Sequence, residues 1–185
     1  LKVPNLESLG IYSAARLSTG LTLPNTDSTV GSYAVAKERS KGKDTPTGHH
    51  EIVGYINPNG WYTFPEVVPV FPEKEMDMLI QEAKVTGFLG NKHASGEDII
   101  KEYGEPHLDS GYPIVYTSAD SVVQIAAHEQ VFGLDRLYET CKIASKIFNN
   151  LRVQRIIARP FLGCNKDDFF RTKNRKDFIL PPPIQ

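Results

Sequence analysis

The feature that most constrains this chain is a change of apolar period that repeats from residue 76 onward. Met76, Leu79, Ile80 and Ala83 recur at helical spacing, and Phe88 with Leu89 makes a short strand that ends at Gly90. Residues 95–103 read as a helix, with Ser95 as its cap and Asp98 reaching back to it. Residues 113–117 form a compact apolar strand and residues 121–127 a second apolar segment. Leu134, Leu137, Tyr138, Cys141, Ala144 and Phe148 mark an amphipathic helix. Residues 153–158 are another buried strand, and residues 169–180 a charged edge hairpin. Such alternation predicts an α/β unit around a central sheet, parallel or mixed.

Upstream the signals differ. Asn57-Pro58-Asn59-Gly60 is a turn, and Pro65, Pro69 and Pro72 exclude long regular structure. Residues 57–72 therefore read as the boundary between two units. Residues 1–30 read as a short helix and a loop, and residues 30–37 alternate like a strand. Thr45 ahead of Pro46 marks a helix start, with the helix over residues 47–55. Pro181-Pro182-Pro183 closes the chain as an extended hinge.

A formal net charge of -1 argues against a dedicated nucleic-acid binder. No apolar run approaches the ~18 residues of a membrane span, and no basic-then-apolar leader is visible, so no membrane partner is expected. Cys141 and Cys164 lack the spacing of a disulfide framework or zinc site, which suits a reducing, cytoplasmic setting. His49 and His50 are adjacent, and His93, His107 and His128 lie apart in sequence, so the histidines suggest no metal site.

Three clusters can carry chemistry. In residues 42–49 a threonine hydroxyl sits at a helix N-terminus, where backbone N–H groups and the helix dipole favour an anion. Thr45 there is either a phosphoryl acceptor or simply an N-cap. In residues 116–121 a polar loop follows an apolar strand. Ser118 can donate to a phosphate or hydroxyl and Asp120 accept from a sugar hydroxyl, or both serve their own turn. Arg155 and Arg159 share a strand face, and a basic run from Arg171 to Lys176 follows. Arginine forks suit phosphate oxygens, whereas a solvated charged edge would guard the sheet against aggregation.

Taken in order, several blocks resemble phosphopentomutases of the alkaline phosphatase superfamily. They are Ser40-Lys41-Gly42-Lys43-Asp44-Thr45-Pro46-Thr47-Gly48-His49, then residues 114–121 with 124–129, Arg155-Ile156-Ile157-Ala158-Arg159-Pro160-Phe161, and Arg171-Thr172 with Asn174-Arg175. The resemblance implies a fragment of an alkaline-phosphatase-like core with an inserted α/β cap. Residues 1–61 would be partial core, 62–178 the cap, and 179–185 the hinge back to the core. It implies interconversion of ribose or deoxyribose 1-phosphate and 5-phosphate, through a phosphothreonine at Thr45 and a bound bisphosphate. Two Mn²⁺ ions would assist, and Ser118, Asp120, Arg155 and Arg171 would hold the sugar phosphate.

The sequence departs from the pattern at Lys176, often histidine in the family, at His50, often tryptophan, and over residues 164–168, which replace a Gly/Pro-rich loop. None of these touches a position assigned to chemistry. The Asp/His metal cluster implied for the core has no counterpart here, so Thr45 is the sole metal-contacting candidate. Because Thr45 alone cannot hold two Mn²⁺ ions, the chain by itself is expected to be inactive, and its exposed core surface to favour a dimer. The competing readings are a non-catalytic sugar-phosphate-binding module and a related superfamily phosphomutase or phosphatase.

Overall fold

In the computed structural model, which describes residues 2–24, 29–42 and 44–181, the chain forms two compact units, Leu1–Arg39 and Ser40–Gln185. The first holds two helices where one was expected, α1 (Pro4–Ser8) and α2 (Ile11–Thr19). Gly10 separates them in a left-handed conformation with φ of 97°. The strand expected over residues 30–37 is absent. Alternation alone does not make a strand without an edge to pair with. Here Val30 N donates to Ser8 O, and the Tyr33 ring lies against Gly10.

In the second unit, α3 (Thr45–Ile52) starts at Thr45 and ends sooner than the pattern suggested. Residues 53–72 contain no helix or strand; over 57–72 this is what the proline and glycine content predicted, whereas residues 53–55 were expected to continue the helix. Next come α4 (Glu73–Glu82), β1 (Leu89–His93), α5 (Gly96–Ser110), β2 (Ile114–Thr117) and β3 (Val122–His128). A π-helical turn at Glu129–Gly133 leads into α6 (Leu134–Asn149), followed by β4 (Arg155–Leu162), β5 (Phe170–Arg171) and β6 (Lys176–Ile179). Ser95 caps α5 by accepting from Asp98 N at 3.2 Å, as expected. Pro182 and Pro183 of the expected hinge lie outside the described residues.

The sheet is mixed. β1 pairs parallel with β2, β2 antiparallel with β3, and β3 parallel with β4. The expected edge hairpin is not one: β5 and β6 do not pair with each other but each lies antiparallel on β4. β1 also does not stop at Gly90. It continues to His93 through a bulge between Gly90 and Lys92, with Gly90 at φ 88° and Asn91 at φ 52°. A Cβ at Gly90 would lie 2.7 Å from Val115 O, so the close backbone approach keeps the glycine.

Each sheet face buries its own cluster. Val115, Val123, Ile125, Ile156 and Ala158 meet α4 and α6, with an aromatic group of Phe64, Phe71 and Phe148 alongside. On the other face Ile114, Tyr116, Ala126 and Phe161 meet Ile99 and Ile100 of α5. That helix covers only part of the face; the remainder carries Arg155 and Arg159, which the register places in line with Val122 and Ala126.

His107 and His128, distant in sequence, meet at the other end of α5. His128 N donates to His107 Nε2 at 2.9 Å, and His107 Nδ1 lies 2.6 Å from Tyr112 O. These partners assign a neutral ring with its proton on Nδ1. Burial pushes the His107 pKa below its ordinary 6.5, opposed by the bond to Tyr112 and helped by His128. The unfolded chain thus binds a proton that the folded one resists. The stabilisation is complete above pH 6.5 and is lost as pH falls through the depressed folded-state value. Urea midpoints should fall between about pH 8 and about pH 5, and fall less in His107→Asn.

Candidate functional site

The first cluster is built on a helix N-terminus. Asp44, not Thr45, is the N-cap of α3: its Oδ1 accepts from Thr47 N at 3.0 Å and its Oδ2 from Thr47 Oγ1 at 2.9 Å. Asp44 outcompetes the neighbouring threonine because a carboxylate accepts two bonds at once and suits the positive end of the dipole. Trp61 Nε1 donates to Thr47 Oγ1 at 2.8 Å, tying the turn to the segment after it. Thr47 is fully buried, while Thr45, the first residue of the helix, is exposed. Its hydroxyl has no hydrogen-bond partner among the described residues.

Close to this turn is the loop between β2 and β3. Lys41, Gly42, Asp44, Trp61, Thr63 and Ser121 line a hollow of about 150 Å³. Ser121 is buried; its Oγ accepts from Gln154 N and its carbonyl from Arg155 N. Asp120, one residue earlier, lies 3.5 Å from an Arg155 Nη, and Arg155 also lies 3.8 Å from Asp177. Ser118 sits two residues before Asp120, partly buried and without a side-chain hydrogen bond among the described residues. The structure thus brings Ser118, Asp120 and Arg155 to the same end of the sheet as the Asp44–Thr45 turn.

Arg171 stands apart from that group. β5 sets it opposite Phe161, and its guanidinium reaches the start of α5, where Nη2 donates to Glu97 Oε1 at 2.6 Å. Both side chains are substantially exposed, so this ion pair contributes at most about 1 kcal/mol. Glu97, Lys101, Asp167 and Arg171 share a cavity of about 450 Å³ with apolar neighbours.

Between these groups the same sheet face carries Arg159 and Arg175 of the basic cluster, together with Gln124 and Tyr116, which the sequence did not single out as ligands. Gln124 Oε1 accepts from Arg159 Nε at 2.9 Å, and Arg175 forks onto Asp177 at 2.6 and 2.7 Å. Burial lowers the Arg159 pKa, and Arg175 and Arg171 add to this, whereas the bond to Asp177 raises that of Arg175. Tyr116 lies beneath them, fully buried; burial raises its pKa while Arg159, Arg171 and Arg175 oppose the rise. The shared face of Arg155 and Arg159 was legible from strand parity. The addition of Arg175 and Arg171 was not, because it depends on two short strands docking on β4.

The arrangement can bind an anion and orient a hydroxylated ligand. It does not supply a metal centre: among the described residues, no group of three or more His, Cys, Asp or Glu is placed to hold an ion. Both Asp44 oxygens are engaged by Thr47. A pair of Mn²⁺ ions does not fit the described residues.

No protein-family model matches the chain. It is 48% identical over 183 residues to a phosphopentomutase of Chelativorans sp. (strain BNC1), 50% over 188 residues to one of Chromohalobacter salexigens and 48% over 185 residues to one of Helicobacter pylori (strain HPAG1). These matches cover 99%, 99% and 98% of this chain but 45%, 44% and 45% of those proteins. The chain therefore spans a little under half the length of the curated relatives it matches, a pattern consistent with a segment of that enzyme.

Proposed function

We propose that this chain is the cap-bearing segment of a phosphopentomutase. In this reading residues 1–61 belong to an alkaline-phosphatase-like core, residues 62–178 form the cap, and residues 179–185 return to the core. The intact protein interconverts ribose or deoxyribose 1-phosphate and 5-phosphate. The observation that carries the reading is identity of 48% sustained over 183 residues, 99% of the chain, with a phosphopentomutase.

The roles follow from the chemistry of each group. The exposed Thr45 hydroxyl, at the N-terminus of α3, accepts a phosphoryl group and returns it, by way of a sugar bisphosphate. Ser118 donates to the ligand, Asp120 accepts from a sugar hydroxyl, and Arg155 and Arg171 take phosphate oxygens. The Mn²⁺ ligands belong to the part of the protein outside this segment, so the segment alone does not turn over substrate. No helix of the described residues is long and apolar enough to cross a membrane, and Cys141 and Cys164 are free thiols; a cytoplasmic setting belongs to the same reading. So does pairing of two copies, to which the exposed Ile52 and Val53 would contribute.

A protein of full phosphopentomutase length carrying this segment should convert ribose 1-phosphate to ribose 5-phosphate when supplied with Mn²⁺. Absence of that conversion would sink the proposal. Calorimetric titration of the chain itself with ribose 5-phosphate should show binding, weakened about tenfold in Arg155→Ala through loss of a charge-assisted bond. Tighter binding of a triose phosphate would point instead to a sister enzyme.

A further inference from the structure

We infer that Arg159, oriented by Gln124 and backed by Tyr116, is the principal anion-anchoring residue of the arginine-bearing sheet face. The inference rests on reading that face as a sugar-phosphate site, and it gives Arg159, Gln124 and Tyr116 parts that the proposed function does not assign.

The argument begins with charge balance. Arg155 faces Asp120 and Asp177, Arg171 is paired with Glu97, and Arg175 with Asp177. Arg159 has no carboxylate of a described residue within ion-pair distance, although it is half-buried. A cation removed from water without a partner is costly, and such a group normally has a counter-ion. The sole hydrogen bond of Arg159 among the described residues is the one from Nε to Gln124. Gln124 is itself only 6% exposed, so the guanidinium is held by one edge, and no carboxylate of a described residue bonds either Nη group, the Tyr116 hydroxyl being its other polar neighbour.

A second feature points the same way. Among the described residues the buried Tyr116 hydroxyl makes no well-formed hydrogen bond, its charged neighbours being Arg159, Arg171 and Arg175. It lies against the first residue of the 15-residue helix α5: a Cβ at Gly96 would come within 2.9 Å of Tyr116 Oη and 3.3 Å of Arg171 Nη1. A larger residue at position 96 would fill this space. Arg159, Arg171 and Tyr116 therefore present donors to one region beside a helix N-terminus, whose dipole adds to their field. Glu97 satisfies one edge of Arg171 there, but no carboxylate of a described residue bonds Arg159 or the Tyr116 hydroxyl. A phosphate ester supplies both acceptor and charge, and a planar guanidinium fixed at Nε can offer it a two-pronged edge.

The test is titration of the chain with inorganic phosphate and with ribose 5-phosphate at low salt, alongside urea midpoints for each variant. Arg159→Gln should weaken both ligands at least about tenfold, and Arg159→Lys, which keeps the charge but not the fork, should recover part of that loss. Tyr116→Phe should cost about threefold. Gln124→Glu places a carboxylate on Arg159 without removing it, and should abolish binding while the midpoint is held; this variant decides the matter if Arg159→Gln fails to fold. Unchanged affinity in Arg159→Gln or Gln124→Glu, with wild-type binding intact, overturns the inference and leaves the sugar-phosphate reading standing. Binding of inorganic phosphate but not ribose 5-phosphate, lost in Arg159→Gln, supports the anion site and overturns the sugar reading. Binding of neither ligand by the wild-type chain overturns both.

Discussion

Replacing Thr45 with alanine should reduce mutase turnover by at least about a thousandfold in a phosphopentomutase-length protein carrying this segment, while leaving its stability unchanged. The two halves of that expectation have different sources. The loss follows from the proposed chemistry: alanine has no oxygen to accept a phosphoryl group, and no neighbouring hydroxyl occupies the same place at the helix N-terminus. The unchanged stability follows from the fold. Thr45 is exposed, is not the cap, and makes no side-chain hydrogen bond among the described residues. Alanine is also a better helix former than threonine. Thr47, two residues on, has the opposite character, since it is fully buried and bonded to both Asp44 and Trp61. Paired kinetic and urea-denaturation measurements therefore separate nucleophile from scaffold. Retained turnover in Thr45→Ala would end the assignment of this residue.

The largest stability effect should come from Phe148→Ala, at about 3–5 kcal/mol. Phe148 is fully buried on α6, and its ring meets Phe64 at 6.1 Å and Phe71 at 5.7 Å in edge-on geometry. Phe64 and Phe71 belong to the irregular stretch before α4, which has no ladder of its own and is held by side chains and by a few hydrogen bonds. Asn91 supplies two of these, its Oδ1 accepting from Val70 N and Phe71 N. Alanine would leave a cavity against two further rings, with the rigid sheet behind limiting collapse into it. A urea midpoint shifted by less than about 1 kcal/mol would mean that the aromatic group is not the anchor of this stretch.

How far the sequence speaks for itself depends on whether a signal is local. The spacing of Leu137, Cys141, Ala144 and Phe148 is a helix signal complete within α6, and it predicts that helix directly. The Ser95 cap is equally local. By contrast, the alternation of residues 30–37 lacked the one thing a strand needs, a partner edge, and no local pattern reports that. Gly90 reads as a terminator until Val115 O is seen to stand where a Cβ would go, a contact made across the sheet. The site divides in the same way. Ser118, Asp120 and Arg155 were legible as a polar loop after an apolar strand and a charged strand residue, and the fold brings them to one end of the sheet. Asp44 as cap was hidden by the more conspicuous Thr45-Pro46 pair. Gln124, Tyr116 and Arg175 were hidden because their relation to Arg159 exists only through inter-strand register.

The connection between β2 and β3 has a consequence for the order of assembly. It is four residues long, 118–121, whereas 20 residues, 94–113, separate β1 from β2 and 26 residues, 129–154, separate β3 from β4. Closing the longer connections costs roughly 1–2 kcal/mol more chain entropy than closing the short one, and the intervening helices must form and dock before the parallel partners meet. The β2–β3 hairpin is therefore the natural nucleus of the sheet. Its turn carries Ser118 and Asp120, so changes there that tune ligand contacts also act on the rate at which the domain folds.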